Sequence, residues 1–267
     1  MNMISLPTER MIAEVDGAIG WLTFNNPSRR NAVSMDMWQA IPEIMDAFER
    51  DPAVRVIVLQ GAGDKSFVSG ADISEFEKNR STAEGVARYE EIGNRAQSRL
   101  VNAQKPTIAM IRGFCMGGGV GVALSCDLRI AAESAQFGIP AAKLGIGYRL
   151  DGLTKLMALV GPAFAKEIFY TARRFTAAEA HGMGLVNRVL PDGELEGFVR
   201  SYCAMIAENA PLSLKAAKGI VTELTKLPDE VDRARCEALV KECFESEDYV
   251  EGRRAFMEKR KPQFKGR

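Results

Sequence analysis

Two glycine-bearing segments hold the residues best placed to do chemistry. In KSFVSGADISEF (residues 65–76), Gly70-Ala71-Asp72 follows a short apolar stretch. In IRGFCMGGGVGVALSCDLRIAA (residues 111–132), a strand-like run passes through Gly117-Gly118-Gly119 into a helical pattern. Successive glycines let another group approach the main chain closely, and the N–H groups of a helix's first turn lack internal partners. Partial positive charge collects there, which suits an oxyanion. The plainer use of such a run is tight helix packing. No acidic residue follows at the distance a dinucleotide fold requires, and the Lys-Ser/Thr ending of a phosphate loop is absent. A third cluster, Tyr148, Arg149 and Asp151, sits in GIGYRLDG (residues 145–152) and reads as a glycine-flanked loop.

The only histidine is His181, so a histidine-based zinc site is excluded and no metal is expected. It lies in TAAEAHGMG (residues 176–184), where Thr176 and Glu179 are spaced as a capping box and the glycines end a short helix. That makes it a helix-end residue rather than a catalytic one. Lys plus Arg and Asp plus Glu number 35 each, giving no overall field to draw nucleic acid or an anionic membrane. Any bound anion must be held locally. The N-terminus lacks the charged and apolar regions of a signal peptide, and no apolar run approaches the roughly 20 residues that cross a bilayer. Five scattered cysteines fit a reduced, cytoplasmic protein.

These residues need a scaffold, and the pattern supplies an α/β one. Residues 11–24 alternate around Asp16-Gly17 as a β-hairpin. Residues 28–50 are helical, VRVIVLQG (residues 54–61) is a strand apolar on both faces, and residues 81–104 are helical and polar. Short strands are expected at residues 107–113, 127–132 and 135–139. From Gly161 onward helices dominate, interrupted by the strand-like LVNRVL (residues 185–190), with Pro191, Pro211 and Pro228 near helix boundaries. The expected division is an α/β core over residues 1–200 and a helical region over residues 201–267, packed on the core or on a neighbouring subunit.

Taken together, the segments NPSRRNAVS (26–34), SGADI (69–73), GGGVGVALSCDLRIAAESAQFGIP (117–140), LGIG (144–147), FTAAEAHGMGLVNRVLP (175–191) and SEDYVEGRRAFMEKRKPQF (246–264) resemble the crotonase superfamily, the enoyl-CoA hydratase/isomerase family, in the family's order and over nearly the whole chain. The resemblance implies a spiral of ββα units with a C-terminal helical trimerisation region, assembled as a homotrimer or homohexamer. It implies an acyl-CoA substrate, with coenzyme A as part of that substrate and no separate cofactor. By the same resemblance the N–H groups of Ala71 and Gly118 form an oxyanion hole for the thioester oxygen. Coenzyme A would lie along Arg29 and along Ser69, Ala71, Asp72 and Ile73, with Phe256 and Lys259 of the C-terminal helix at its nucleotide end.

The pattern also departs from the family. A hydratase of this family uses two glutamates to activate water, and the corresponding positions are Gly121 and Ala141, neither of which can carry a proton. Ordinary hydration of a 2-enoyl thioester is therefore not the expected reaction. The family's methylmalonyl-CoA decarboxylases carry a tyrosine at the turn where Tyr148 falls, although they keep a glutamate where this chain has Gly121. Losing CO₂ forms an enolate without a base, Arg149 would orient the carboxylate and Tyr148 would position it or donate a proton. Other readings stay open: isomerisation with Asp151 or Asp127 as base, although Asp127 follows Cys126 at a helix end and better suits a role toward the backbone; an acyl-CoA-binding subunit without turnover; or, as the family default, hydration by an unusual arrangement. Val68, Met116 and Leu144 suggest a modest acyl pocket.

Overall fold

A computed structural model describes residues 2–72, 75, 82–148 and 150–267, with Asp151 described by its backbone alone. Ile73 and Arg149 lie outside the described residues. The hairpin forms as expected: β1 (Asn2–Met3) pairs with β2 (Met11–Asp16), which turns into β3 (Ile19–Phe24), all antiparallel. Helix α1 (Met35–Arg50) then leads to β4 (Val56–Gly61) and β5 (Ser66–Val68). Helix α2 (Ala83–Val101) precedes β6 (Thr107–Ile111) and β7 (Phe114–Met116). Helix α3 (Gly118–Leu124) is followed by β8 (Leu128–Ala132) and β9 (Gln136–Gly138).

The pairing shows why strands come in twos. A seven-stranded sheet runs β1-β2-β3-β4-β6-β8-β11, and a four-stranded sheet runs β10-β9-β7-β5, where β10 is Phe175–Thr176 and β11 is Arg188–Leu190. Three successive turns, β4-β5-α2, β6-β7-α3 and β8-β9 with the helix that follows, each add one strand to the large sheet, one to the small sheet, and then a helix. The strands β3, β4, β6, β8 and β11 are parallel neighbours. This is the mixed α/β spiral of ββα units, and it explains the doubly apolar run at residues 54–61. Ile57 and Leu59 point into a core shared with α1, while Val56 and Val58 face the opposite core with Ile108 and Met110. Alternation with both faces covered is what a buried parallel strand shows.

The second half follows with α4 (Leu150–Thr171), two helical runs meeting at a non-helical Gly161. Its first run corrects the expectation that Tyr148 to Gly152 form one loop: Leu150 opens the helix and Asp151 lies in its first turn. The apolar spacing of Leu150, Leu153, Leu156 and Val160 outweighs Gly152, which costs a helix about 1 kcal/mol. Helix α5 (Ala177–Gly182) carries the expected capping box between Thr176 and Glu179, and His181 Nδ1 lies 2.9 Å from the Val186 carbonyl at its far end. Helices α6 (Leu195–Ala207), α7 (Pro211–Leu224), α8 (Arg233–Phe244) and α9 (Glu247–Met257) complete the chain. The boundary drawn at residue 200 falls inside α6, whose Leu195, Val199 and Cys203 are buried against the large sheet. Arg55 donates to the Phe264 carbonyl at 2.6 Å and Lys218 to that of Lys105 at 3.0 Å, tying the helical tail to the core. All five cysteines are free thiols, and among the described residues no helix is long and apolar enough to cross a membrane.

Candidate active site

The two glycine segments meet. Val33 and Ala71 form an isolated parallel bridge in which Val33 N donates to the Gly70 carbonyl at 2.8 Å and Asp72 N to that of Val33 at 3.0 Å. A parallel bridge uses the groups flanking its central residue, so the N–H of Ala71 itself is turned away from Val33. Gly118 is the first residue of α3, and such an amide has no partner within its helix. Neither amide donates to an acceptor among the described residues. A β-carbon built on Gly118 would stand 3.7 Å from Ala71 N, and one built on Gly70 would stand 3.8 Å from Gly118 N. Two backbone donors thus lie side by side.

The glycines do different work. Gly117 (φ 52°, ψ −115°) adopts a backbone conformation open to glycine, with its own N–H held by the Gly138 carbonyl at 2.8 Å. Gly119 is a packing glycine: a β-carbon there would lie 2.0 Å from the Val68 carbonyl oxygen. Helix α3 can therefore settle onto β5 and bring Gly118 beside Ala71 only without a side chain at residue 119.

Ala71 and Gly118 both line one cavity of about 320 Å³. Ser69, Gly70, Ala71, Gly117 and Gly118 form one wall; Pro140, Ala141, Leu144, Ile146 and Tyr148 form a second. The third wall comes from α2, through Tyr89, Glu90, Gly93, Asn94 and Gln97, with Trp38 beneath. Ala141, one of the two positions at which the resemblance places a hydratase glutamate, thus faces the cavity. A β-carbon on Gly121, the other position, would lie 3.8 Å from Gln97 Nε2 of the third wall.

Tyr148 belongs to this cavity, as the sequence suggested, with its ring edge-on to Phe169 at 4.8 Å between centroids. Burial pushes its phenol above the ordinary tyrosine value of 10.0, so it stays protonated and able to donate a hydrogen bond. The unfolded chain ionises near pH 10 while the folded one resists. The stability from this neutral phenol is therefore full below pH 10 and is lost as pH rises through the folded value. In alkaline denaturation, Tyr148→Phe is expected to flatten the loss of stability above pH 10; an unaltered alkaline limb would contradict the assignment.

Ser69 lines the cavity, and Arg29 and Asp72 are joined to it. Arg29 pairs with the buried Asp72 at 3.3 Å, and Ser69 Oγ donates to the Arg29 carbonyl at 3.3 Å. Phe256 and Lys259 are not part of this grouping within one chain. They lie exposed at the end of α9, where Phe256 lines a separate groove with Phe244, Tyr249 and Phe264. Of the three residues expected to shape an acyl pocket, Leu144 lines the cavity, whereas Val68 is fully buried in the core and Met116 packs against Gly138. Asp127 is not a base in this site. Its carboxylate accepts from Thr107 N at 2.7 Å and Oγ1 at 2.9 Å and meets Lys218 at 2.8 Å, clasping β6 to α7. Among the described residues no group of His, Cys, Asp and Glu could hold a metal ion.

Backbone donors paired at one cavity are an arrangement that can stabilise developing negative charge on an oxygen. A sequence profile described as enoyl-CoA hydratase/isomerase matches residues 14–267, and the chain belongs to that family, the crotonase superfamily. It is 38% identical over 258 residues to a short-chain-enoyl-CoA hydratase of Clostridium acetobutylicum, covering 96% of this chain and 98% of the relative. It is 39% identical over 259 residues to a crotonyl-CoA hydratase of Syntrophomonas wolfei, with the same coverage of 96% and 98%. The crystal structure of an enoyl-CoA hydratase/carnithine racemase from Magnetospirillum magneticum superposes with a TM-score of 0.90 at 35% identity, covering 97% of each chain. The chain is accordingly an acyl-CoA enzyme of this family.

The sequence marks residues 81–104 only as a polar helix and does not disclose the α2 wall. Its one local signal is Gly93 in mid-helix between Glu90, Asn94 and Gln97, where a β-carbon would meet nothing within 4 Å among the described residues.

Proposed function

We propose that this protein acts on an acyl-CoA thioester through an enolate whose oxygen is held by the N–H groups of Ala71 and Gly118, in a reaction other than ordinary hydration. The observation that carries the reading is the meeting, beside one cavity, of two amides that have no acceptor among the described residues. A thioester carbonyl seated there gains negative charge as the enolate forms, and fixed dipoles stabilise that charge without reorganising. Coenzyme A follows Arg29, Ser69 and Asp72, and the acyl group enters between Leu144, Ala141 and the α2 wall. Two relatives are named as hydratases, so hydration is the family default against which the proposal is set. Gly121 and Ala141 argue against that default, because neither can move a proton to or from water. The same reading takes the chain as a homotrimer or homohexamer, which would cover the exposed Phe244, Phe256 and Met257.

A substrate panel read by mass spectrometry tests it. Crotonyl-CoA in ¹⁸O-water, a 3-enoyl-CoA, malonyl-CoA and methylmalonyl-CoA separate hydration, double-bond shift and decarboxylation. The expected result is turnover of a thioester with ¹⁸O incorporation the minor activity. Rapid ¹⁸O incorporation as the principal reaction would overturn the exclusion of hydration, and calorimetric binding without turnover across the panel would identify a silent subunit.

A further inference from the structure

The cavity has a proton carrier on a wall that the resemblance does not assign. Helix α2 presents Tyr89, Glu90, Gly93, Asn94 and Gln97 to it, at i, i+1, i+4, i+5 and i+8, a single stripe on a helix of 3.6 residues per turn. Ala96 and Leu100, on the adjoining face, are fully buried. From Glu90 to Gln97 the polar stripe runs roughly 10 Å along the helix axis. The wall is held firmly: Trp38 Nε1 donates to the Tyr89 hydroxyl at 3.2 Å, and Arg99 meets Asp46 at 2.6 Å near the other end. Among the described residues lining the cavity, Glu90 has the one carboxyl group. A β-carbon built on Gly93, one turn further, would meet nothing within 4 Å among the described residues.

We infer that Glu90 is the group that moves the proton at the carbon next to the thioester carbonyl. The inference rests on the acyl-CoA reading above. It deepens it by placing the catalytic carboxyl on α2, in the same cavity that Ala141 lines. The step balances without a further reactant. The Glu90 carboxylate takes the α-proton, the C–H electron pair moves into the carbon–carbon bond, and the carbonyl π pair moves onto the oxygen held by Ala71 and Gly118. The same carboxyl then returns its proton to the α-carbon or, in an unsaturated acyl chain, to the γ-carbon. The chemistry therefore takes thioesters with an acidic α-hydrogen, and a chain with a β,γ double bond would leave conjugated.

The experiment measures exchange of the α-hydrogens of butyryl-CoA in D₂O by mass spectrometry, with calorimetric affinity for the same thioester. Glu90→Gln is expected to slow exchange by about 10²-fold or more, as loss of a general base does, with affinity within about threefold of the parent. Glu90→Asp should recover part of the rate, since it restores the carboxyl at shorter reach. An exchange rate in Glu90→Gln within threefold of the parent would overturn the inference. Gly118→Ala separates the two claims: if that change abolishes exchange while Glu90→Gln does not, the oxyanion hole stands and Glu90 is not the base. If the parent protein neither binds the thioester nor exchanges its hydrogens, both fail together.

Discussion

Gly118→Ala is expected to lower kcat/KM toward the physiological thioester by about 10²–10³-fold while leaving the fold in place. Residue 118 is the first of α3, where alanine is a good helix former, and its β-carbon would reach Ala71 N no closer than 3.7 Å, an ordinary contact. Nothing in the core has to move. The methyl group would nevertheless stand beside the two donors, in the space where an oxyanion must approach both. One such donor is worth about 3 kcal/mol to a transition state. The loss should fall on kcat more than on KM, because the oxygen carries its full charge only as the enolate forms. Steady-state kinetics with the best substrate of the panel provides the check. A Gly118→Ala enzyme within threefold of the parent would mean that the amide pair does not act on the reacting carbonyl.

The neighbouring position should behave in the opposite way. Gly119→Ala is expected to destabilise the protein by about 3 kcal/mol, because overpacking a closed contact forces the backbone apart. The new β-carbon would stand 2.0 Å from the Val68 carbonyl oxygen and 2.8 Å from its carbon, both of them main-chain atoms that cannot rotate away. Either α3 lifts from β5 or β5 shifts in its sheet, and each movement also separates Gly118 from Ala71. Urea denaturation of the two variants side by side distinguishes the roles: a midpoint close to that of the parent for Gly118→Ala and a markedly lower one for Gly119→Ala. Equal midpoints for Gly119→Ala and the parent would show that the α3–β5 contact is looser than its geometry requires.

The contrast between adjacent glycines explains what the sequence could and could not disclose. The two glycine segments stand out in the sequence because main-chain chemistry leaves a local trace: glycines where the chain must bend or approach closely, next to a strand and at a helix start; the part taken by the Ala71 and Gly118 amides is what the family resemblance implies. The apolar run at residues 54–61 was equally legible, since a strand covered on both faces cannot alternate with polar residues. Glu90, Asn94 and Gln97 left no such trace. On a helix whose other face is buried, polar residues at this spacing look the same whether they face water or a cavity, and only the meeting of α2 with the two glycine segments decides between them. Asp127 illustrates the converse. A carboxylate beside the glycine run invited a catalytic role, yet its bonds to Thr107 and Lys218 consume it in joining β6 to α7. Val68 failed for a related reason, because a short apolar segment does not reveal which of its side chains turn inward. The helix beginning at Leu150 was hidden behind flanking glycines, although its own apolar spacing announced it.

Infrared difference spectroscopy of a bound, ¹³C-carbonyl-labelled acyl-CoA tests the central claim most directly. Two converging N–H donors polarise the thioester carbonyl, so its stretching frequency should fall on binding relative to the same molecule in water. Part of that fall should disappear in Gly118→Ala. A bound carbonyl that vibrates at its aqueous frequency, in the parent and the variant alike, would contradict the account.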